Sequence, residues 1–119
     1  MQIKKLYLKI AETISHWHLK GKQRGDQKQA MDQAKTIIVQ GRVQGVGFRY
    51  STRAKAESLN IKGFVKNMPD GSVHIEATGD ADSMQSFVSW CHEGPPLARV
   101  TDVIIEEASP SVSNDFRIR

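Results

Sequence analysis

The chain has 119 residues, 39% hydrophobic and 25% charged, which bounds it to one ordinary globular domain with a modest core. No apolar stretch is long enough to cross a bilayer, MQIKKLYLKI is not followed by a long apolar segment with a small-residue cleavage site, and Cys91 is the only cysteine. A membrane anchor, a secretory signal and an internal disulfide are therefore not expected, and a cytoplasmic location is. The net charge of +4 is unevenly spread: residues 1–30 hold seven basic side chains against two acidic ones, while the remaining 89 residues hold ten against eleven. The basic character thus belongs to an N-terminal arm and gives the rest of the chain no strong electrostatic case for binding nucleic acid.

In the arm, Ile3, Leu6, Tyr7, Ile10, Ile14 and Trp17 follow helical spacing and predict an amphipathic helix. Two readings stand for it: a helix packed on the domain or frayed in solution, and one that binds a membrane surface or a partner, the first being the default. Residues 20–35, rich in Lys, Gln and Asp, read as a solvated linker, and Met31 could serve as an alternative start. The expected division is an extension over 1–35 and a domain over 36–119.

From Thr36 the pattern becomes regular. TIIVQGR, residues 36–42, predicts a strand. A glycine-rich turn follows, then a helix from Arg49 to Leu59 closed by Asn60 in the left-handed region. Lys62 to Met68 is the second strand, Pro69-Asp70-Gly71 a hairpin turn, and Ser72 to Thr78 the third strand, with Val73, Ile75 and Ala77 on one face. Asp80 caps a second helix whose Met84, Phe87, Val88 and Cys91 face inward, and Gly94-Pro95-Pro96 stops it. Val100 to Glu107 and Phe116 to Arg119 complete the strands. The order β-α-β-β-α-β with a short terminal strand predicts a ferredoxin-like α+β sandwich, an antiparallel sheet with two helices on one face.

The richest stretch is VQGRVQGVGFR, Val39 to Arg49. Gly41, Gly45 and Gly47 allow positive φ and close approach of backbone to a ligand. Successive N–H groups running into a helix N-terminus make a concavity for anions, and Arg49 adds a planar, permanently charged fork. Together they suggest a small phosphate cradle.

These eleven residues resemble the first signature of the acylphosphatase family. Gly63-Phe64-Val65-Lys66-Asn67, then Gly71-Ser72-Val73, then Gly79, resemble the second, and the FRIR ending is similar to bacterial members. The resemblance covers residues 36–119 and leaves out the arm. It implies hydrolysis of the carboxyl–phosphate bond of a small-molecule acyl phosphate by a monomer with no cofactor and no metal. It carries the phosphate-binding arginine onto Arg49, the water-positioning asparagine onto Asn67, and the N–H cradle onto Gln44, Gly45, Val46, Gly47, Phe48 and Arg49. Some members pair this arginine with the terminal carboxylate, and Arg119 ends the chain suitably for such a contact, which the sequence does not show.

Other residues have plainer readings. His16 and His18, at i and i+2, point to different sides of a helix and do not suggest a metal site. His74 should face away from Val73 and Ile75, and His92 should favour the negative end of its helix. Cys91 reads as core, Asp80 and Asp82 as cap and first-turn charges, and Arg42, Arg53 and Lys66 as solvated surface. Gln44 is expected to hold the loop's shape rather than to react. The competing functional class is a non-catalytic ferredoxin-like module for a phosphorylated ligand or nucleic acid. Against nucleic acid, Phe64 is the only aromatic in the second and third strands.

Overall fold

A computed structural model describes residues 32–110 and 113–119. The helix, linker and paired histidines expected within residues 1–31 lie outside the described residues. Five strands and two helices follow in the order β1 (Gln33–Arg42), α1 (Phe48–Ser58), β2 (Lys62–Asn67), β3 (Val73–Gly79), α2 (Ala81–Glu93), β4 (Arg99–Ala108) and β5 (Phe116–Ile118). The sheet order is β4-β1-β3-β2-β5. The first four strands pair antiparallel, and β5 adds to the β2 edge in parallel.

One boundary moves for a clear reason. β1 begins at Gln33 rather than Thr36, so Gln33, Ala34 and Lys35, which composition assigns to the linker, are strand. Each has a partner on β3, and Ala34 and Lys35 have one on β4 as well. Pairing on both sides holds residues whose local composition does not favour a strand.

Strand alternation sorts the side chains into two faces. Ile37 and Val39 of β1, Val65 of β2, and Val73, Ile75 and Ala77 of β3 are all buried on the helix side. α2 supplies Met84, Phe87 and Cys91 at i, i+3 and i+7, each with no exposed surface. Burying a side chain the size of Phe87 or Met84 contributes about 1.5–3 kcal/mol. Phe116 of β5 closes that layer, its ring centroid 6.1 Å from that of Phe87. Val88, expected in the same stripe, packs against the core while only partly buried.

The helix ends are chemically specified. The Asp80 carboxylate accepts from Ser83 N at 2.8 Å and starts α2. α1 closes with Asn60 at φ 58°, where Ile61 N donates to Ala56 O at 2.8 Å and Asn60 N to Glu57 O at 3.2 Å. That pair of bonds satisfies carbonyls of the last turn, and buried Ile61 anchors the exit. Burial raises the Cys91 thiol pKa to about 12, as expected of a core cysteine.

Candidate active site

The β1–α1 connection, residues 43–47, is shaped by Gly45 and Gly47 at φ 77° and 80°. A Cβ at either would meet nothing within 4 Å, so the demand for glycine comes from backbone conformation and the ground beside the loop is open. Val43 anchors one end of the loop in the core, and Phe48, against Trp90 at 5.5 Å between ring centroids, anchors the other. With Phe48 buried, its contribution to the loop is its N–H.

Two features leave this turn electropositive. Gly47 is the N-cap of α1 and offers no side chain to the first-turn amides, and no acidic residue stands in that turn. Among the described residues, no turn or cap bond takes up the N–H groups of residues 44–49. A helix start has orphan donors and the positive end of the helix dipole, and both favour an anion.

Arg49 is the second residue of α1, and its guanidinium Nη1 donates to the main-chain oxygen of Arg119 at 3.0 Å. Arg119 N in turn donates to Val65 O at 2.8 Å. Arg49 is thereby tethered to β2 two residues before Asn67. Asn67 ends β2 and by alternation lies on the helix side of the sheet with Gly63 and Val65.

Gln44 ties the loop to the same end of the sheet. Its Nε2 donates to Met68 O at 2.8 Å and to Ser72 O at 2.9 Å, spanning both sides of the β2–β3 turn. That turn is closed by Gly71 N to Met68 O at 3.1 Å and by Met68 N to Ser72 O at 2.9 Å. Within it the Asp70 carboxylate accepts from Ser72 Oγ at 2.6 Å and Ser72 N at 2.9 Å. The Ser72 hydroxyl, then the Ser72 amide, holds the Asp70 pKa below its ordinary 3.8. The loop and Arg49 are thus tied to the end of the strand that carries Asn67, by Gln44 on one side and Arg119 on the other.

The remaining polar candidates have other contacts. Lys66 alternates to the opposite face of β2, 6.0 Å from the Phe64 ring centroid. His74 shares that face, stacked on Phe64 at 6.0 Å and 3.1 Å from Glu76. His92 Nδ1 lies 3.0 Å from Val88 O in the last turn of α2. Arg53 stands 5.7 Å from the Tyr50 ring. The Phe64 ring is overlain by the Arg119 guanidinium at 4.0 Å, so this aromatic is not presented as a bare stacking platform. Among the described residues, no three His, Cys, Asp or Glu gather as metal ligands, and no helix is long and apolar enough to cross a membrane.

Comparison with known proteins bears on the family and the fold. A family model described as Acylphosphatase matches residues 35–118. An acylphosphatase of Thermotoga petrophila is 52% identical over 83 residues, covering 70% of this chain and 92% of its own length. The solved structure of an acylphosphatase from Coxiella burnetii superposes with TM-score 0.75 at 43% identity, covering 78% of this chain and 98% of that one. The acylphosphatase of Bacillus subtilis gives 0.71 at 42% identity, covering 73% and 98%.

Proposed function

This chain belongs to the acylphosphatase family, and from that premise we propose that it hydrolyses acyl phosphates to a carboxylate and inorganic phosphate. The observation that carries the reading is the uncapped, acid-free start of α1 with Arg49 in its first turn, joined through Arg119 to the strand that ends in Asn67.

The amides of residues 44–49 and the Arg49 guanidinium bind the phosphoryl oxygens. Nη1 of Arg49 is occupied by Arg119, which fixes the plane of the fork and leaves its other donors for the substrate. Asn67 holds the attacking water through its carboxamide, which orients without titrating. The water oxygen bonds to phosphorus as the bond from phosphorus to the acyl oxygen breaks. The electron pair leaves with the carboxylate, and the water's proton passes to a phosphoryl oxygen. A carboxylate is a good leaving group, so positioning and charge stabilisation supply most of the rate.

The finer parts of the reading are that catalysis needs no metal, that the protein works as a cytoplasmic monomer, and that residues 31–119 are sufficient. The experiment is phosphate release from benzoyl phosphate by the full chain and by residues 31–119, with and without a chelator, in native protein, Arg49→Ala and Asn67→Ala. Losing a positioned donor costs about 10²–10³ in rate. Asn67→Ala should lower kcat by that factor with little change in KM, and Arg49→Ala should lower kcat/KM by at least as much. Turnover like native in both variants would sink the assignment.

A further inference from the structure

We propose that Phe64 is a positioning residue for Arg49, acting through the side chain of Arg119. The inference rests on the catalytic reading above and adds a contact on the opposite face of the sheet from the cradle.

β5 is three residues long and lies at the sheet edge. Arg119 follows it, and its main-chain oxygen is the acceptor that orients Arg49. An edge segment this short frays unless its end is held. Besides the Arg49 bond itself, two contacts hold it. Arg119 N donates to Val65 O at 2.8 Å, and the Arg119 guanidinium lies 4.0 Å from the centroid of the Phe64 ring. Phe64 precedes Val65, so adjacent residues of β2 grip the main chain and the side chain of Arg119 from two directions. A cation within about 6 Å of a ring centroid is attracted by the ring face. The neighbouring Arg117 projects toward the same face but pairs with Asp115 at 3.1 Å, so it makes a strand control that leaves the clamp intact.

Releasing the ring contact leaves Arg119 held by its N–H on Val65 O alone, so the acceptor that fixes the Arg49 guanidinium plane is less firmly placed. The expected effect is on phosphate affinity more than on the chemical step. The size is that of an exposed cation–π contact, about a two- to fivefold weakening. Phe64→Leu keeps an apolar side chain on the strand and removes the ring face, Phe64→Tyr keeps the face, and Arg119→Met removes the cation.

The test combines inorganic phosphate affinity, by calorimetry and as a competitive inhibitor, with the side-chain NMR signals of Arg49 in the free protein. Phe64→Leu and Arg119→Met should each weaken phosphate by that factor and lower kcat/KM to match. The double variant should be no weaker than either single one, Phe64→Tyr should behave like native, and Arg117→Met should change nothing. The Arg49 guanidinium protons should exchange faster with water in Phe64→Leu and Arg119→Met alone. Additive losses, an equal loss in Arg117→Met, or unchanged Arg49 exchange in Phe64→Leu would overturn the proposal. If native protein released no phosphate from benzoyl phosphate, the catalytic reading would fall, and the Arg49 exchange rates would still decide this inference.

Discussion

Replacing Gln44 by Met tests how the glycine loop and the strand that ends in Asn67 are kept in register. The substitution conserves length and approximate volume and deletes both bonds from Nε2, to Met68 O and Ser72 O. A buried or partly buried hydrogen bond contributes about 0.5–1.5 kcal/mol net. Both carbonyls keep another donor, Gly71 N on Met68 O and Met68 N on Ser72 O, so neither is orphaned. The cost should therefore sit near the lower part of the sum, about 1–2 kcal/mol, or about 5–15 °C in Tm for a domain of this size. The functional effect should exceed what stability explains. The β2–β3 turn follows directly on Asn67, and a misplacement near 1 Å can cost about 10²-fold. The expected kcat falls by about 10- to 100-fold on benzoyl phosphate, with a smaller change in KM. Urea unfolding and steady-state kinetics on the same preparation measure both. A variant within about 0.5 kcal/mol of native stability and within about twofold of native kcat would refute the coupling. Lost stability with unchanged kcat would make Gln44 a structural strut only.

Three further outcomes follow from the same geometry. Arg49→Lys should recover only a minor part of the Arg49→Ala loss, because an ammonium cannot hold Arg119 O and a phosphoryl group in one plane; kcat/KM within about tenfold of native would contradict this. Cys91 should resist iodoacetamide at pH 8 in the native protein and react fully in denaturant, since burial raises its pKa to about 12; this raised value contributes stability that is full below the unfolded pKa near 9 and is lost as pH rises toward 12. Equal alkylation rates in both states would contradict it. The Asp70 carboxyl, followed by NMR, should titrate below 3.8, so its contribution to the hairpin is present above that pH and lost as pH falls through its folded value; a midpoint at or above 3.8, or one unmoved by Ser72→Ala, would remove Ser72 as the cause.

Much of this was legible in the residues because the local chemistry was unambiguous. Asp80, Asn60 and the Pro69-Asp70-Gly71 turn each specify a boundary by their own conformational or capping preferences, and the structure puts each in that role. The alternation of Val73, Ile75 and Ala77 gave the buried face of β3 for the same reason. The start of β1 was not legible, since Gln33 to Lys35 are strand by virtue of partners more than forty residues away. At the site, the glycine loop and Arg49 suggested a phosphate cradle, but no local pattern ties Gln44 to Met68 and Ser72 or lays Arg119 over Phe64. Gln44 was readable as holding the loop's shape, while what it holds the loop against depends on the folded sheet.

The central claim is that the bare amides of residues 44–49, with Arg49, form the phosphate site. Titrating the uniformly ¹⁵N-labelled protein with inorganic phosphate tests it without depending on turnover. The account predicts saturable shifts concentrated in the amides of residues 44–49 and the Arg49 side chain, lost in Arg49→Ala, while His74 and Arg117 on the opposite sheet face stay unmoved. Shifts centred on that opposite face, or a loop that remains silent at saturating phosphate, would contradict it.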